Sequence, residues 1–312
     1  MTIENLNVYS ARLLPQKDTF CPGHRACQGC AEALAVRLVH KALGRNTIVA
    51  SSTGCMEIIS SSYPDSAWDI PWMHVAFENS ASVCSGIEAG YKALMRKGRV
   101  PQRKINFVGM GGDGATADIG LQWLSGAMER GHDMLYVCYD NEAYMNTGIQ
   151  RSGSTPYGAS TTTSPAGTHS IGQQTWKKPL MDIIAAHRIP FAATASPSYP
   201  FDMMEKVQKA ASIEGPTFLQ VYSACPTGWR MAPELAIEVG RLAVQTGAFP
   251  LYSVEYGKKL TVDVKPEKLR ALKDYMKIQG RFRHLTDDQI AFIEQRLQEE
   301  WAYLLAREEA GV

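Results

Sequence analysis

Apolar and polar positions follow two alternating periods over most of the chain. Ala31–Leu43 carries apolar residues at helical spacing and stops at Gly44, whereas Thr47–Ser52 is a short run suited to a buried strand. The pattern continues with a small-residue-rich helix over Ser80–Met95, a strand at Ile105–Val108, a helix over Asp118–Glu129 and a strand at Met134–Tyr139. Leu180–His187 then reads as helix, Phe191–Thr194 as strand, Phe201–Ala211 as helix and Thr217–Tyr222 as strand. Strands separated by helices predict an α/β fold, a parallel sheet with helices on both faces. The chain shows no internal repeat.

Two regions break the rhythm. Asn146–Lys178 is rich in Gly, Ser and Thr and has no apolar period. A stretch of that length inside a domain is either functional, a subunit contact or a solvated flexible loop. After Arg230, Pro233–Val244 and Thr286–Glu308 read as amphipathic helices, with Leu251–Tyr256 as an edge strand between them. The expected division is an α/β domain over 1–230 and a mostly helical C-terminal extension over 231–312, packing on the core or on a partner.

Composition narrows the class. The 312 residues are 45% hydrophobic, enough for a large core, and the net charge of +1 comes from dispersed basic residues. Neither nucleic acid nor an anionic membrane surface is implied. No apolar run reaches membrane-spanning length, and Met1–Asn7 lacks a basic-then-apolar export signal, so a cytoplasmic protein is expected. Seven cysteines at uneven spacings make a poor disulfide framework, and metal binding is the better reading.

The densest chemistry lies in Phe107-Val-Gly-Met-Gly-Gly-Asp-Gly114, followed one βα unit later by Asp140-Asn-Glu-Ala143. A diphosphate needs backbone N–H groups close to its oxygens, which glycine permits because no Cβ intervenes. Mg²⁺ takes oxygen ligands and bridges phosphate to one or two side chains. Asp113 offers a carboxylate at the end of one strand, and Asn141 an amide oxygen just past the next. Adjacent parallel strands lie about 5 Å apart, so both ligands reach one ion. Gly109, Gly111 and Gly114 also satisfy a dinucleotide-binding G-x-G-x-x-G, a weak match taken alone. Asp113 counts against that alternative, because a carboxylate aimed at a pyrophosphate repels it unless a cation sits between them.

Cys27-x-x-Cys30 opens the first helix, Cys55 follows Gly54 in a turn after a strand, and Cys225 precedes Pro226 after another strand. Four thiolates from separate loops suit a [4Fe–4S] cluster, and equally a structural Zn²⁺ site; spacing does not separate the two. Cys84 and Cys138 read as core residues, and Cys21 is not counted as a ligand. His24, next to the Cys27–Cys30 loop, and His74, within Trp72–Glu78, are candidates to lie near a cofactor, yet histidines in such places are more often hydrogen-bonded structural groups. Glu78 and Glu88 flank a helix and read as structural.

The segment Tyr139-Asp-Asn-Glu-Ala-Tyr-Met-Asn-Thr-Gly-Ile-Gln150, with the preceding Gly-Asp-Gly turn, resembles β subunits of 2-oxoacid:ferredoxin oxidoreductases, which use thiamine diphosphate (ThDP); the pyruvate type is the nearest likeness. The resemblance implies a ThDP-binding fold of the diphosphate type. It makes Asp113, Asn141 and the backbone carbonyl of Ala143 Mg²⁺ ligands, with Gly112 and Gly114 at the diphosphate and Gly54 and Cys55 beside the cofactor. Asn146 becomes the polar residue facing the substrate, and Cys27, Cys30, Cys55 and Cys225 become ligands of a [4Fe–4S] cluster. The implied reaction is oxidative decarboxylation of a small 2-oxoacid, with electrons leaving one at a time to ferredoxin. With pyruvate, coenzyme A takes the acetyl group; with oxalate, the close alternative, both carbons leave as carbon dioxide.

Only one diphosphate-type unit is legible, and the carboxylic acid that ThDP needs beside its pyrimidine ring belongs, in the wider family, to a second domain. A partner of α/γ type is therefore expected to supply the pyrimidine site and much of the substrate pocket, and a ferredoxin-like subunit further clusters. Two other readings stay open: a non-redox ThDP decarboxylase subunit, and a zinc-stabilised nucleotide-binding module without catalysis.

Overall fold

The computed structural model describes residues 15 and 17–311; Met1–Asn7, read above for the lack of an export signal, lies outside the described residues. In chain order come α1 (Ala31–Leu43), β1 (Thr47–Ser52), α2 (Cys55–Ser60), β2 (Trp72–Val75), α3 (Ser80–Arg96) and β3 (Asn106–Gly112). A π-helical turn (Gly114–Ile119) leads into α4 (Leu121–Glu129) and β4 (Leu135–Asp140). A two-stranded hairpin, β5 (Ala166–Gly167) and β6 (Ser170–Ile171), precedes α5 (Leu180–Ala185), β7 (Phe191–Ala195), α6 (Pro200–Ser212) and β8 (Thr217–Tyr222). The remainder is α7 (Pro226–Trp229), α8 (Ala236–Gln245), β9 (Tyr252–Glu255), β10 (Lys259–Val262), α9 (Leu272–Met276) and α10 (Asp287–Ala310).

Eight strands form one sheet in the order β10-β9-β7-β8-β4-β3-β1-β2, and the six from β7 to β2 run parallel. Side chains alternate across it as a strand's two-residue period requires. Leu135, Val137 and Tyr139 face a core shared with α1 and α6, while Tyr136 and Cys138 face one shared with α3, α4 and α5. The α/β reading is thus borne out, with helices on both faces. Cys84 and Cys138 sit in the second core.

Because β1 pairs with β2 on one side and β3 on the other, the chain reverses direction across the sheet between β1 and β3. Loops leaving the C-terminal ends of such neighbours diverge and open a crevice. The loops after β1, β3 and β4 meet there.

Beyond Arg230 the chain is not purely helical. β9 pairs antiparallel with β7, with Ala192 opposite Val254, and β10 closes the edge beyond it. The strand expected at Leu251–Tyr256 is therefore one position in from the edge. A third core, with Trp229, Phe249 and Tyr275, joins α8, α9 and α10 to the end of β8. Thr286 caps α10 through a capping box with Gln289. Among the described residues no helix is long and apolar enough to cross a membrane.

Asn146–Lys178 is ordered by polar contacts instead of an apolar stripe. Ser152, Ser154, Thr155, Thr161 and Gln173 are buried. Thr155 Oγ1 donates to the Glu142 carbonyl at 2.7 Å, and Gly153 N to Asp118 Oδ2 at 2.8 Å. These bonds pin the segment over the loops after β3 and β4, which rules out the solvated-loop reading.

Candidate active site

Strand register sets the geometry. Gly112 stands opposite Tyr139, so Asp113 at the end of β3 comes level with Asp140 at the end of β4, and Asn141 follows. Here a cavity of about 230 Å³ opens at the reversal point. Gly54, Cys55, Gly112, Asp113 and Gly114 line it from one side, and Asn141, Ala143 and Asn146 from the other. The turns at Gly54, Gly112–Gly114 and Asn141–Asn146 are thus brought together, although each is far from the others in sequence.

Asp113 is fully buried. Its Oδ2 accepts a hydrogen bond from Ser152 Oγ, and its Oδ1 has no partner. Burial pushes the carboxyl well above its ordinary range, and the adjacent Asp140 charge pushes the same way. Asn141 donates from Nδ2 to Glu32 Oε2 at 3.0 Å, leaving Oδ1 buried and unpartnered. Each unsatisfied buried oxygen costs about 1–3 kcal/mol. Two of them, from residues lining one cavity, are the donor set that a hard divalent cation satisfies.

Glu32, in the first turn of α1, lines the same cavity and was not singled out from sequence. Burial raises its carboxyl to about 7, with the Asn141 hydrogen bond pulling it back. Only its place after the Cys-x-x-Cys hinted at a role, because acidic residues are common in first helical turns. Tyr144 was missed as well. Its ring covers Gly114 so closely that a Cβ there would overlap it, and its hydroxyl donates to Asp118 Oδ2 at 3.0 Å.

Of the four cysteines Cys55 lines this cavity, and Cys30 stands at the start of α1, two residues before the cavity-lining Glu32. Cys30 and Cys225 are the N-caps of α1 and α7, their sulfurs accepting from Ala33 N at 3.5 Å and Gly228 N at 3.3 Å. Gly29 makes the Cys27–Cys30 turn at φ 70°, and its α-carbon leaves no room for a side chain against the Pro233 backbone. Burial pushes the Cys30 thiol to about 12 and Cys225 to about 11, and it raises Cys55 too. For Cys55 the Glu32, Cys225, Cys30 and Cys27 charges all push the same way, and Ala31 N donates to the Ala224 carbonyl at 3.2 Å, so the Cys30 and Cys225 turns adjoin. Among the described residues no three or more His, Cys, Asp or Glu side chains converge on a single-ion site. In a cubane each cysteine ligates a different iron, so its ligands span a wider space than four ligands of one ion.

Other expectations fall outside the cavity. His74 hydrogen-bonds Thr53 Oγ1 at 2.7 Å and stacks on Trp72, and His24 stacks on Phe20. Glu88 pairs with Lys92 at 2.7 Å and with His132 at 2.9 Å, consistent with a structural role.

Comparison with known proteins follows the same lines. The family model described as thiamine pyrophosphate enzyme, C-terminal TPP binding domain, matches residues 52–221. Fold, cavity and match define a ThDP enzyme whose diphosphate-type domain this is. The pyruvate synthase subunit PorB of Methanocaldococcus jannaschii is 55% identical over 286 residues, covering 91% of this chain and 96% of that protein. The ketoisovalerate oxidoreductase subunit VorB of Pyrococcus abyssi is 49% identical over 292 residues, covering 93% and 94%. A solved structure of 2-oxoglutarate:ferredoxin oxidoreductase from Magnetococcus marinus shares the fold, with a TM-score of 0.54 at 19% identity over 73% of this chain and 78% of that one. The chain belongs to the β-subunit family of 2-oxoacid:ferredoxin oxidoreductases, and it works with partner subunits.

Proposed function

We propose that this subunit grips the diphosphate of ThDP through Mg²⁺ held by Asp113, Asn141 and the carbonyl of Ala143, beside a [4Fe–4S] cluster held by Cys27, Cys30, Cys55 and Cys225. The reaction is oxidative decarboxylation of a small 2-oxoacid, pyruvate first, with coenzyme A as acyl acceptor and ferredoxin as one-electron acceptor. The observation that carries the reading is the pair of unpartnered oxygens, Asp113 Oδ1 and Asn141 Oδ1, on the cavity that Cys55 also lines. Pyruvate is placed first because the relatives at 54–55% identity are pyruvate synthase subunits; at 47–49% PorB and VorB relatives match this chain equally, so the substrate panel below decides between pyruvate and a branched 2-oxoacid.

When bound, ThDP supplies the electron sink that lets a 2-oxoacid lose carbon dioxide, and the cluster an acceptor for single electrons. The chain's own residues position and exclude. A Cβ at Gly112 would meet only the Tyr139 carbonyl oxygen, at 3.9 Å, so its absence leaves room for phosphate to approach the backbone. Glu32 orients the Asn141 amide, and Ser152 holds the Asp113 carboxylate. Asn146 and Thr147, at the cavity rim, face the substrate. Exposed Ile58, Met73, Ile119 and Trp123 give partner chains an apolar surface to cover. An α/γ-type partner supplies the pyrimidine site there, and a ferredoxin-like subunit carries electrons onward.

The test is anaerobic purification of the complex with iron, magnesium and ThDP analysis. A substrate panel of pyruvate, 2-oxoisovalerate and oxalate, with and without coenzyme A, then assigns the acid. Pyruvate- and coenzyme A-dependent reduction of a low-potential acceptor is expected. A colourless, iron-free complex with full decarboxylase activity overturns the redox reading, and retained ThDP binding in Asp113→Ala overturns the cation grip.

A further inference from the structure

Glu142 lies between Asn141 and Ala143, the two residues of the β4 loop assigned to the cation. Its φ of 66° is in the left-handed region, which residues with side chains rarely occupy. That conformation favours Gly or Asn over Glu, because a Cβ there crowds the following carbonyl oxygen.

Long-range charge holds it there. Glu142 Oε1 is paired with Lys177 Nζ and Oε2 with Arg281 Nη2, and both the Glu142 and Arg281 side chains are almost wholly buried. Burial alone would raise the Glu142 carboxyl, but the two cations outweigh it and lower it. The Arg281 guanidinium also sits 3.9 Å over the Trp229 ring, and Trp229 Nε1 donates to the Asn141 carbonyl at 3.0 Å. Glu142 N donates to Asp140 Oδ1 at 3.1 Å, and the Glu142 carbonyl accepts from Thr155. The result is a split turn: Asn141 and Ala143 line the site cavity, while Glu142 lines a separate cavity of about 380 Å³ on the side of α9 and α10.

We propose that Arg281 and Lys177 are positioning residues of the cation site. By holding Glu142 left-handed they turn Asn141 and Ala143 toward Mg²⁺. The inference rests on the proposed function. It assigns a part in cofactor binding to a C-terminal residue beyond the matched family region, which ends at residue 221.

The test uses the assembled complex, with ThDP binding measured calorimetrically at stepped Mg²⁺ concentrations and with iron content and thermal melting recorded alongside. Arg281→Met is expected to raise the Mg²⁺ half-saturation point by about tenfold or more, the scale for groups that orient metal ligands, without changing iron content. Arg281→Lys, which keeps the charge but loses the planar fork, is expected to fall between. Adding Glu142→Gly to Arg281→Met should recover Mg²⁺ affinity, because glycine takes φ 66° without a latch. An ion pair serving stability alone would lower the melting point, leave Mg²⁺ half-saturation unmoved and give no glycine rescue; that result overturns the proposal. If Arg281→Met fails to assemble, Arg281→Lys and the double variant decide by the same readout. Asn141→Ala separates the two levels. Unchanged binding there sinks the cation assignment, whereas loss there with wild-type binding in the Arg281 variants sinks only the latch.

Discussion

Asn141 donates its amide to Glu32 at 3.0 Å across 109 residues of sequence, and this bond decides which end of the amide faces the cavity. The carboxylate accepts from Nδ2, so the oxygen turns inward. Without that acceptor the amide is free to flip and present N–H groups to a cation. Glu32→Ala is expected to weaken Mg²⁺-dependent ThDP binding by about tenfold or more, whereas Glu32→Gln, which still accepts through its amide oxygen, should keep most of it. Calorimetric titration of the complex checks this; equal losses in both variants would mean that Glu32 acts through its charge.

Gly114 sits directly beneath the Tyr144 ring. Gly114→Ala forces that ring away and strains the Tyr144–Asp118 hydrogen bond. Overpacking of this kind costs about 1–3 kcal/mol. The melting temperature of the complex should fall, and ThDP affinity with it. Adding Tyr144→Ala should restore much of the melting temperature, and a double variant as unstable as the single one would exclude the clash as the cause.

Replacing the cysteines should divide them sharply. Ser at Cys27, Cys30, Cys55 or Cys225 is expected to strip iron and visible absorbance from the anaerobic complex. Ala at Cys84 or Cys138, both buried in the core between the sheet and α3 and α4, should leave iron content unchanged and cost only packing. Iron per protomer, measured chemically, is the readout.

His40 gives a pH prediction remote from the site. It is fully buried on α1, edge-on to Trp68, and burial pushes its imidazole down to about 3 from an ordinary 6.5. The unfolded chain takes up a proton below about 6.5 that the folded chain refuses, so stability falls as pH drops through that window toward 3. Between pH 7 and pH 5 the loss is about 2 kcal/mol from this group. Denaturant melts of wild type and His40→Leu at the two pH values should differ by that amount. Parallel pH dependence in both would show that His40 takes up its proton in the folded state.

Much of this was legible in the sequence, for physical reasons. α1, β1 and β8 have the expected limits because buried periodicity and clear stops, such as Gly44, mark them. That the Gly112–Gly114 and Asn141–Asn146 turns line one cavity was foreseeable, because glycines and oxygen donors at adjacent strand ends come level in a parallel sheet. β2 and β10 escaped notice: both are short edge strands, and β2 is half-exposed, without a clean two-residue alternation. Asn146–Lys178 looked unstructured because its order comes from hydroxyl-to-backbone bonds, which leave no apolar period. Glu32, Glu142 and Arg281 were invisible as a set because their contacts span most of the chain, and spacing carries no trace of such pairs.

Short as it is, α7 begins just after Cys225 and ends at Trp229, whose indole holds the Asn141 carbonyl. The proposed cluster ligand and the proposed cation ligand thus share one strut, less than two helical turns long. Divergence within the family has little freedom to shift either ligand alone. New substrate preference is more readily acquired at the rim, around Asn146 and Thr147, or on the neighbouring chain, where change leaves the strut untouched.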